Sequence, residues 1–204
     1  MKIKSVIIFS ILFVIIALTA FCIIHRNQKQ NEIKQYFIGL NEAPVSIVVY
    51  CGFFDIYCEK THSNYPQIRD NYIVAGKVKY SFIYIPKTWN DKEGEKDIKV
   101  AEALECAGMQ WKYKEMYEKI IQRNATIEMD ELKQIGIEIG VDQGKFNKCL
   151  TEGLAADSVL GKISRSHEMN ITYFPITFLN KEKIEGFISY DSLSKKINSL
   201  LGDN

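Results

Sequence analysis

The sequence lacks a Cys-x-x-Cys motif, and its five cysteines are scattered over 204 residues. They are too few for a small protein held together mainly by disulfides. A strong charge of one sign is also missing, because 26 Lys and Arg residues balance 25 Asp and Glu residues. This balance argues against a dedicated nucleic-acid binder, which normally carries a basic excess. With 47% apolar and 25% charged residues, the composition is that of a globular protein. The length suits one domain with an insertion.

The N-terminal region is a long hydrophobic run behind two lysines. Residues 5–24 contain no charged side chain, and a helix of this length crosses roughly 30 Å of hydrocarbon. The lysines predict a cytoplasmic N-terminus and a body on the extracytoplasmic, periplasmic side. We therefore predict a transmembrane anchor over residues 1–25 and a polar tether over residues 26–40. The alternative is a signal peptide cleaved after Ala20, which would leave a secreted body.

The rest of the chain alternates between strand and helix patterns. The predicted elements are a strand at 44–50, a helix at 54–71, a strand at 78–85, helices throughout 97–169 (among them 130–139 and 142–150), two hairpin strands at 174–179 and 184–188, and a final helix from Asp191 or Ser192 through Leu201. This order predicts an α/β thioredoxin-like fold with a helical domain inserted between its two halves. Residues 41–96 and 170–204 would form the thioredoxin-like domain, and residues 97–169 the inserted helical domain.

Five short motifs follow one another along the body. They are Tyr50-Cys51-Gly52-Phe53-Phe54-Asp55-Ile56-Tyr57-Cys58, then Ala75-Gly76-Lys77-Val78, then Cys106-Ala107 with Gln110-Trp111 and Met116-Tyr117, then Gly140-Val141-Asp142 with 146–150, and finally Phe174-Pro175-Ile176-Thr177-Phe178. In these motifs the chain resembles the DsbA-like family of thiol–disulfide oxidoreductases, over about residues 41–201. The resemblance implies a thioredoxin-like fold and a cis-proline at Pro175 beside the active site.

The active-site position departs from the family pattern. In a Cys-x-x-Cys enzyme the first cysteine lies at a helix N-terminus, where the dipole stabilises the attacking thiolate, and the second resolves the mixed disulfide. These positions are Asp55 and Cys58 here, which gives a degenerate Asp-x-x-Cys site. A carboxylate cannot exchange disulfides but is a good helix cap. We therefore do not expect the ordinary two-cysteine mechanism, and we prefer Asp55 as a cap over Asp55 as a catalytic acid. Val49 stands where such enzymes often carry a buried acid.

Another cysteine could replace the missing one. Cys51 ends the first predicted strand and shares its face with Val49, so it could lie opposite Cys58. A disulfide there requires Cα atoms within about 7 Å. Two buried free thiols, or Cys58 acting alone, are the alternatives. Cys106 and Cys149 lie on two predicted helices of the insert and are a candidate structural disulfide in an oxidising compartment, with two free thiols as the alternative.

We predict no metal site. Asp55, Cys58 and His62 fall within about one and a half turns of one predicted helix, but no fourth ligand is evident. An exposed His62 on a helix surface is the simpler expectation.

Three functional hypotheses follow. The first is an extracytoplasmic relative of the thiol–disulfide oxidoreductases, with impaired or altered redox activity at Cys58 beside Pro175 and with Cys51 as a candidate partner. The second is a non-catalytic envelope module that binds peptides or proteins by strand addition in the groove beside Pro175. The third is a structural role in the envelope that depends on the anchor. The expected partners are exported or envelope proteins and, through the N-terminal helix, the membrane. No cofactor and no nucleic acid are expected.

Overall fold

A computed structural model describes residues 36–52, 55–86, 92–123 and 127–202, together with Thr19. The predicted anchor, the possible cleavage site and most of the tether therefore lie outside the described residues. Within the described part of the chain, no helix is long and apolar enough to span a bilayer.

The helices and strands of the body belong to the compact unit Gln35–Asn204. In chain order they are β1 (Val45–Cys51), α1 (Ile56–His62), α2 (Tyr65–Ile68), a π-helical turn (Arg69–Ile73), β2 (Val78–Tyr84), α3 (Lys92–Gly108), α4 (Tyr113–Arg123), α5 (Met129–Glu138), α6 (Gln143–Thr151), α7 (Ala156–Glu168), β3 (Ile176–Leu179), β4 (Glu182–Glu185) and α8 (Tyr190–Leu201).

The strands form one four-stranded mixed sheet in the order β2-β1-β3-β4. β1 and β2 are parallel, so the chain between them must cross over, and the helical segments from α1 to the π-helical turn make that connection. β3 runs antiparallel to β1, and β4 runs antiparallel to β3. The register places Cys51 beside Tyr84 of β2, and Tyr50 beside Ile176 of β3. The end of β1 therefore lies between β2, from the N-terminal part of the body, and β3, from its C-terminal part.

One face of β1 packs into the main hydrophobic core. Val45, Ile47, Val49 and Cys51 alternate along the strand and all belong to this core. On the other face Ser46 and Val48 are half-buried, and Tyr50 is buried with 3% exposure. A strand that is covered on both faces has a nearly continuous run of apolar residues in its sequence. For this reason β1 could be predicted from the sequence.

The helix predicted for residues 54–71 is broken into shorter segments. α1 ends at His62, α2 begins at Tyr65, and Pro66 lies in the first turn of α2. Proline has no backbone N–H, and its ring collides with the carbonyl four residues earlier in a continuous helix. It is tolerated in a first helical turn, so the chain restarts the helix there. The prediction of one uninterrupted helix was wrong.

The predicted C-terminal hairpin is present with shifted boundaries. β3 begins at Ile176, after Pro175, which has no N–H to donate to the strand ladder. A two-residue turn that includes Asn180, with a left-handed φ of 52°, joins it to β4. β4 lies at residues 182–185 rather than 184–188, and it is polar except for Ile184. An exposed edge strand of this kind carries little apolar signal.

Helices α3 to α7 all fall between β2 and β3 in the chain, where the sequence predicts a helical block. α5 and α6 lie within one residue of their predicted positions at 130–139 and 142–150. The division of the body into a thioredoxin-like domain and an inserted domain stays a prediction.

Candidate functional site

Asp55 caps the N-terminus of α1. Its backbone is extended, with φ −108° and ψ 120°, and its Oδ1 accepts hydrogen bonds from the backbone N–H groups of Tyr57 (2.9 Å) and Cys58 (3.0 Å). These are two of the unpaired amides that every helix presents at its start. The preferred prediction for Asp55, a helix cap, therefore describes what this carboxylate does at the start of α1.

Cys51 and Cys58 form a disulfide that links the end of β1 to the first turn of α1. Their Cα atoms lie 5.6 Å apart, within the range that a disulfide requires. The two residues are almost completely buried, with 3% and 0% of their surfaces exposed. An incoming thiolate can reach either sulfur only after local movement of the surrounding chain.

A groove of about 990 Å³ opens beside the start of α1. Its lining is mainly apolar and aromatic, and both cysteines lie outside it. The lining residues are Asp55, Tyr57, Ile85, Pro86, Ile163, Ser166, His167, Ile171, Thr172, Tyr173, Phe174, Gly186 and Phe187. The peptide bond between Phe174 and Pro175 is cis, and the carbonyl of Pro175 accepts a hydrogen bond from the N–H of Gly186 at 2.9 Å. Pro175 therefore lies against the wall of this groove.

A second, much smaller space lies on the inner side of the disulfide. It is bounded by Cys51, Gly52, His62, Phe82, Ile83, Tyr84 and Tyr117, and it is too narrow to hold a water molecule. We call it the inner crevice. Cys51 of the disulfide and the imidazole-bearing His62 both line it.

His62 is not the exposed helix residue that the sequence predicts. Its ring lies edge-on to Phe82, with ring centres 4.7 Å apart, and the hydroxyl of Tyr117 is 2.6 Å from its Nδ1 and 2.7 Å from its Nε2. Burial lowers the pKa of His62 to about 3, so its ring is neutral at neutral pH. The expectation failed because α4, distant in sequence, covers this side of α1.

The structure gives no support to a metal site at Asp55, Cys58 and His62. Cys58 is bonded to Cys51 and cannot act as a thiolate ligand. Across the described ranges, no cluster of three or more His, Cys, Asp or Glu residues is arranged to hold a metal ion.

The second disulfide joins Cys106 of α3 to Cys149 of α6, with Cα atoms 5.9 Å apart. Both residues are buried, and neither lines the groove or the inner crevice. This bond closes a loop between two helices of the α3–α7 segment.

A buried ion pair ties α3 to α7, and sequence reasoning missed it. Lys162 donates to Glu105, whose other oxygen accepts from Ser158 at 2.8 Å. The ammonium group of Lys162 also lies 5.1 Å from the ring centre of Tyr113. Burial lowers the pKa of Lys162, and the charge of Glu105 opposes that shift. One signal was in the sequence, since Glu105 interrupts the apolar face of α3.

The comparison with protein families decides where the chain belongs. A sequence model described as thioredoxin matches residues 31–199, which is most of the chain. The chain belongs to the thioredoxin family. This match, with the sheet and helices described above, confirms the predicted α/β thioredoxin-like fold.

Several solved structures that this chain resembles are DsbA-like proteins. It is similar to oxidised BdbD from Bacillus subtilis, with a TM-score of 0.71 and 21% identity over 82% of this chain and 93% of that one. It is also similar to alpha-DsbA2 from Wolbachia pipientis, with a TM-score of 0.70 and 17% identity over 87% of this chain and 93% of that one. For a variant of alpha-DsbA1 from Wolbachia pipientis the TM-score is 0.69 and the identity is 23%, over 85% of this chain and 96% of that one. These likenesses establish a DsbA-like thioredoxin fold, in agreement with the predicted resemblance.

Two curated relatives are much longer proteins. They are Na(+)/H(+) antiporter NhaA 3 from Salinispora tropica, with 22% identity, and NhaA 1 from Salinispora arenicola, with 23%, both over 166 residues and 81% of this chain. The chain spans about a quarter of the length of these relatives, since the match covers 24% of each.

Proposed function

We propose that this thioredoxin-family protein is an extracytoplasmic relative of the thiol–disulfide oxidoreductases, with altered and impaired redox activity. One observation carries the proposal: Cys58 is disulfide-bonded to Cys51, while Asp55, three residues before Cys58, caps the start of the helix. By the family resemblance, Asp55 would stand at the nucleophile position. The redox pair would then be separated by six intervening residues rather than two. The degenerate Asp-x-x-Cys site is thus part of the proposal.

The proposed reaction is an exchange with a dithiol of an exported or envelope protein. A client thiolate attacks one sulfur of the Cys51–Cys58 disulfide, and a second client thiol then displaces the mixed disulfide. The client leaves with a new disulfide, and its two thiol protons finish on Cys51 and Cys58. Burial of both sulfurs slows the first attack, and the negative charge of Asp55 beside Cys58 repels the incoming thiolate.

An extracytoplasmic location is supported by two lines of reasoning. Disulfides persist mainly in oxidising compartments, and this body contains two. The uncharged run at residues 5–24 has the length and the flanking lysines of a membrane anchor with an exported body. Protease treatment of intact and opened cells tests this part of the proposal. We expect digestion of the body from outside the inner membrane, and protection there would contradict the location.

Native-state thiol trapping tests the redox proposal. The full-length protein is treated with increasing dithiothreitol, quenched in acid, alkylated and analysed by mass spectrometry for each cysteine. We expect Cys51 and Cys58 to become labelled together while the folded protein still protects Cys106 and Cys149. If Cys51 and Cys58 stay unlabelled at all concentrations at which the fold persists, the redox proposal is wrong.

A gain-of-function variant provides a sharper test. Asp55→Cys combined with Cys51→Ser creates a Cys-x-x-Cys pair with Cys58, at a position where the helix start already provides two N–H donors. We expect faster oxidation of a reduced model protein than with the wild type. Cys58→Ser should abolish the slow wild-type reaction, and unchanged activity in that variant would exclude Cys58 from the chemistry.

The alternative is a non-catalytic envelope module that binds extended polypeptide in the groove beside Pro175. It is favoured by the size of the groove, by the aromatic side chains of Tyr57, Tyr173 and Phe187 that remain partly exposed, and by the exclusion of both cysteines from its lining. Peptide binding followed by fluorescence distinguishes the two. A pure binding role predicts equal affinity in wild type and in Cys51→Ser/Cys58→Ser, together with no exchange activity.

A further inference from the structure

The inner crevice determines where a proton can go when the Cys51–Cys58 disulfide opens. Reduction converts each sulfur into a thiolate, and an unpaired negative charge in an apolar, water-free space is strongly unfavourable. The crevice admits no water molecule. Protonation of a sulfur that faces it therefore has to involve a side chain that lines it.

Only one of the two sulfurs belongs to a residue that faces this space. Cys51 is part of the crevice lining, and Cys58 is not among the described lining residues. An attack on Cys58 would therefore leave the thiolate on Cys51, the residue of the pair that lines the crevice. The reverse attack would leave the thiolate on Cys58, away from the crevice.

The titratable side chains around the crevice come from four elements. They are Cys51 of β1, His62 of α1, Tyr84 of β2 and Tyr117 of α4, and Cys58 lies one turn before His62 on α1. Burial raises the pKa of Tyr117 well above its ordinary value, so its phenol keeps its proton. Among these groups an imidazole has the ordinary pKa closest to neutrality, so His62 is the side chain whose protonation a nearby negative charge can restore.

The environment of His62 also changes when the disulfide opens. With the disulfide closed, the ring is neutral and lies within hydrogen-bonding distance of the Tyr117 hydroxyl. A thiolate formed at Cys51 places an opposite charge beside any proton on the ring and so favours its protonation. The imidazole is thus poorly basic in the oxidised protein and becomes more basic at the step that needs a proton.

We propose that His62 is a positioning and proton-carrying residue for Cys51, an inference that rests on the proposed redox function. A client thiolate attacks Sγ of Cys58, the S–S bond breaks, and its electron pair leaves on Sγ of Cys51. The client thiol gives its proton to solvent when it ionises, and His62, which is only partly buried, takes up a proton from solvent and passes it to Cys51. Tyr117 holds the imidazole at the crevice. In the reverse direction His62 removes the proton from Cys51 before the disulfide closes.

The test compares four forms of the full-length protein: wild type, His62→Gln, His62→Phe and Tyr113→Phe. Gln keeps hydrogen-bonding groups and Phe keeps a ring, but neither side chain can carry a proton at these pH values. Tyr113→Phe is the matched control, because it removes a buried hydroxyl from the same helix as Tyr117, bonded to the Phe82 carbonyl at 3.3 Å. Reduction by dithiothreitol is followed from about pH 5 to about pH 9 by quenching and alkylation, and each rate is corrected for the thiolate fraction of the reagent.

We expect both His62 variants to open the Cys51–Cys58 disulfide about 100-fold more slowly than the wild type, and Tyr113→Phe to match the wild type. In the reduced protein, the pH profile for alkylation of Cys51 should shift upward in both variants and stay unchanged for Cys58. A purely structural role would not shift one thiol selectively. The intact Cys106–Cys149 disulfide checks folding in the same spectrum.

Two results would overturn the inference while leaving the redox proposal standing. The first is wild-type rates and a wild-type Cys51 profile in both His62 variants, and the second is a normal rate restored by His62→Gln alone. A wild-type disulfide that dithiothreitol never opens would overturn both the inference and the proposed function.

Discussion

The two disulfides of this protein differ in the length of chain that they enclose and in their surroundings. Cys106–Cys149 closes a loop with a sequence separation of 43, and Cys51–Cys58 closes one of only 7. The long-range bond joins two helices inside the α3–α7 segment. The short-range bond lies beside the helix cap Asp55, and Cys51 shares the lining of the inner crevice with the neutral His62.

This difference separates a stabilising crosslink from a candidate reactive one. A crosslink that closes a long loop removes more conformational entropy from the unfolded chain, so it stabilises the fold more. A crosslink in a short loop contributes less, and the fold can tolerate its opening more easily. A redox pair must open and close without unfolding the protein, and Cys51–Cys58 meets that requirement better.

The largest effect should come from removing the long-range disulfide. Cys106→Ala with Cys149→Ala should lower the free energy of unfolding by about 4 kcal/mol, from the loop-entropy relation for a separation of 43. Urea unfolding of the oxidised proteins measures this difference. If this variant loses no more free energy of unfolding than the variant without the Cys51–Cys58 disulfide, the two disulfides do not differ in how much they stabilise the fold.

Removing the short-range disulfide should have a smaller effect on stability. Cys51→Ala with Cys58→Ala should lower the free energy of unfolding by about 2 kcal/mol, from the same relation for a separation of 7. The variant should remain folded and should lose all exchange activity, as measured with a reduced model protein. Retained exchange would place the chemistry at other cysteines.

The region around the short-range disulfide should also respond to pH through His62. Its pKa is about 3 in the folded protein, below the ordinary 6.5, so between these values the unfolded chain binds more protons. The free energy of unfolding should therefore decrease as the pH falls from about 6.5 toward 3, by at most about 1.4 kcal/mol per pH unit from this group. Urea unfolding measured across this pH range tests this, because the His62→Gln variant should lack the part of the pH dependence that comes from His62. An equal pH slope of the free energy of unfolding in wild type and variant would contradict the prediction.

The smallest effects should come from two matched helix caps. Asp55→Ala removes the cap of α1, and Asp142→Ala removes that of α6, where its Oδ1 accepts from the N–H of Lys145 at 3.0 Å. Each should lower the free energy of unfolding by about 1 kcal/mol. Only Asp55→Ala should speed opening of Cys51–Cys58 by dithiothreitol, because it removes the charge beside Cys58. Faster opening in both variants would point to general loosening of the fold.

Much of the fold could be predicted because the decisive signals are local. The β-branched segment of β1 has a pattern that belongs to a strand buried on both faces, and Asp55 is a typical helix cap. The motif around Pro175 also indicated the edge of the groove through its family resemblance. Pro66 is a local signal as well, because a proline inside a helical pattern marks the start of a new helical segment.

The rest of the candidate site depends on contacts between distant parts of the chain. Strand parity placed Cys51 on the inner face, but the 5.6 Å Cα separation from Cys58 depends on how α1 packs against the sheet. The partial burial of His62 involves Tyr117, which is 55 positions away in sequence. The polar strand β4 is recognisable only from its pairing with β3. The catalytic roles of Cys51, Cys58 and Asp55 remain predictions.

The position of Cys58 has a mechanical consequence for the groove. Cys58 directly follows Tyr57, which forms part of the groove wall, and its disulfide fixes that turn of α1 to the end of β1. The main chain from Cys51 to Cys58 and the S–S bond together make a closed covalent ring. While the ring is closed, the wall cannot be displaced without pulling on the central strand of the sheet; when it is open, only non-covalent packing resists the same force.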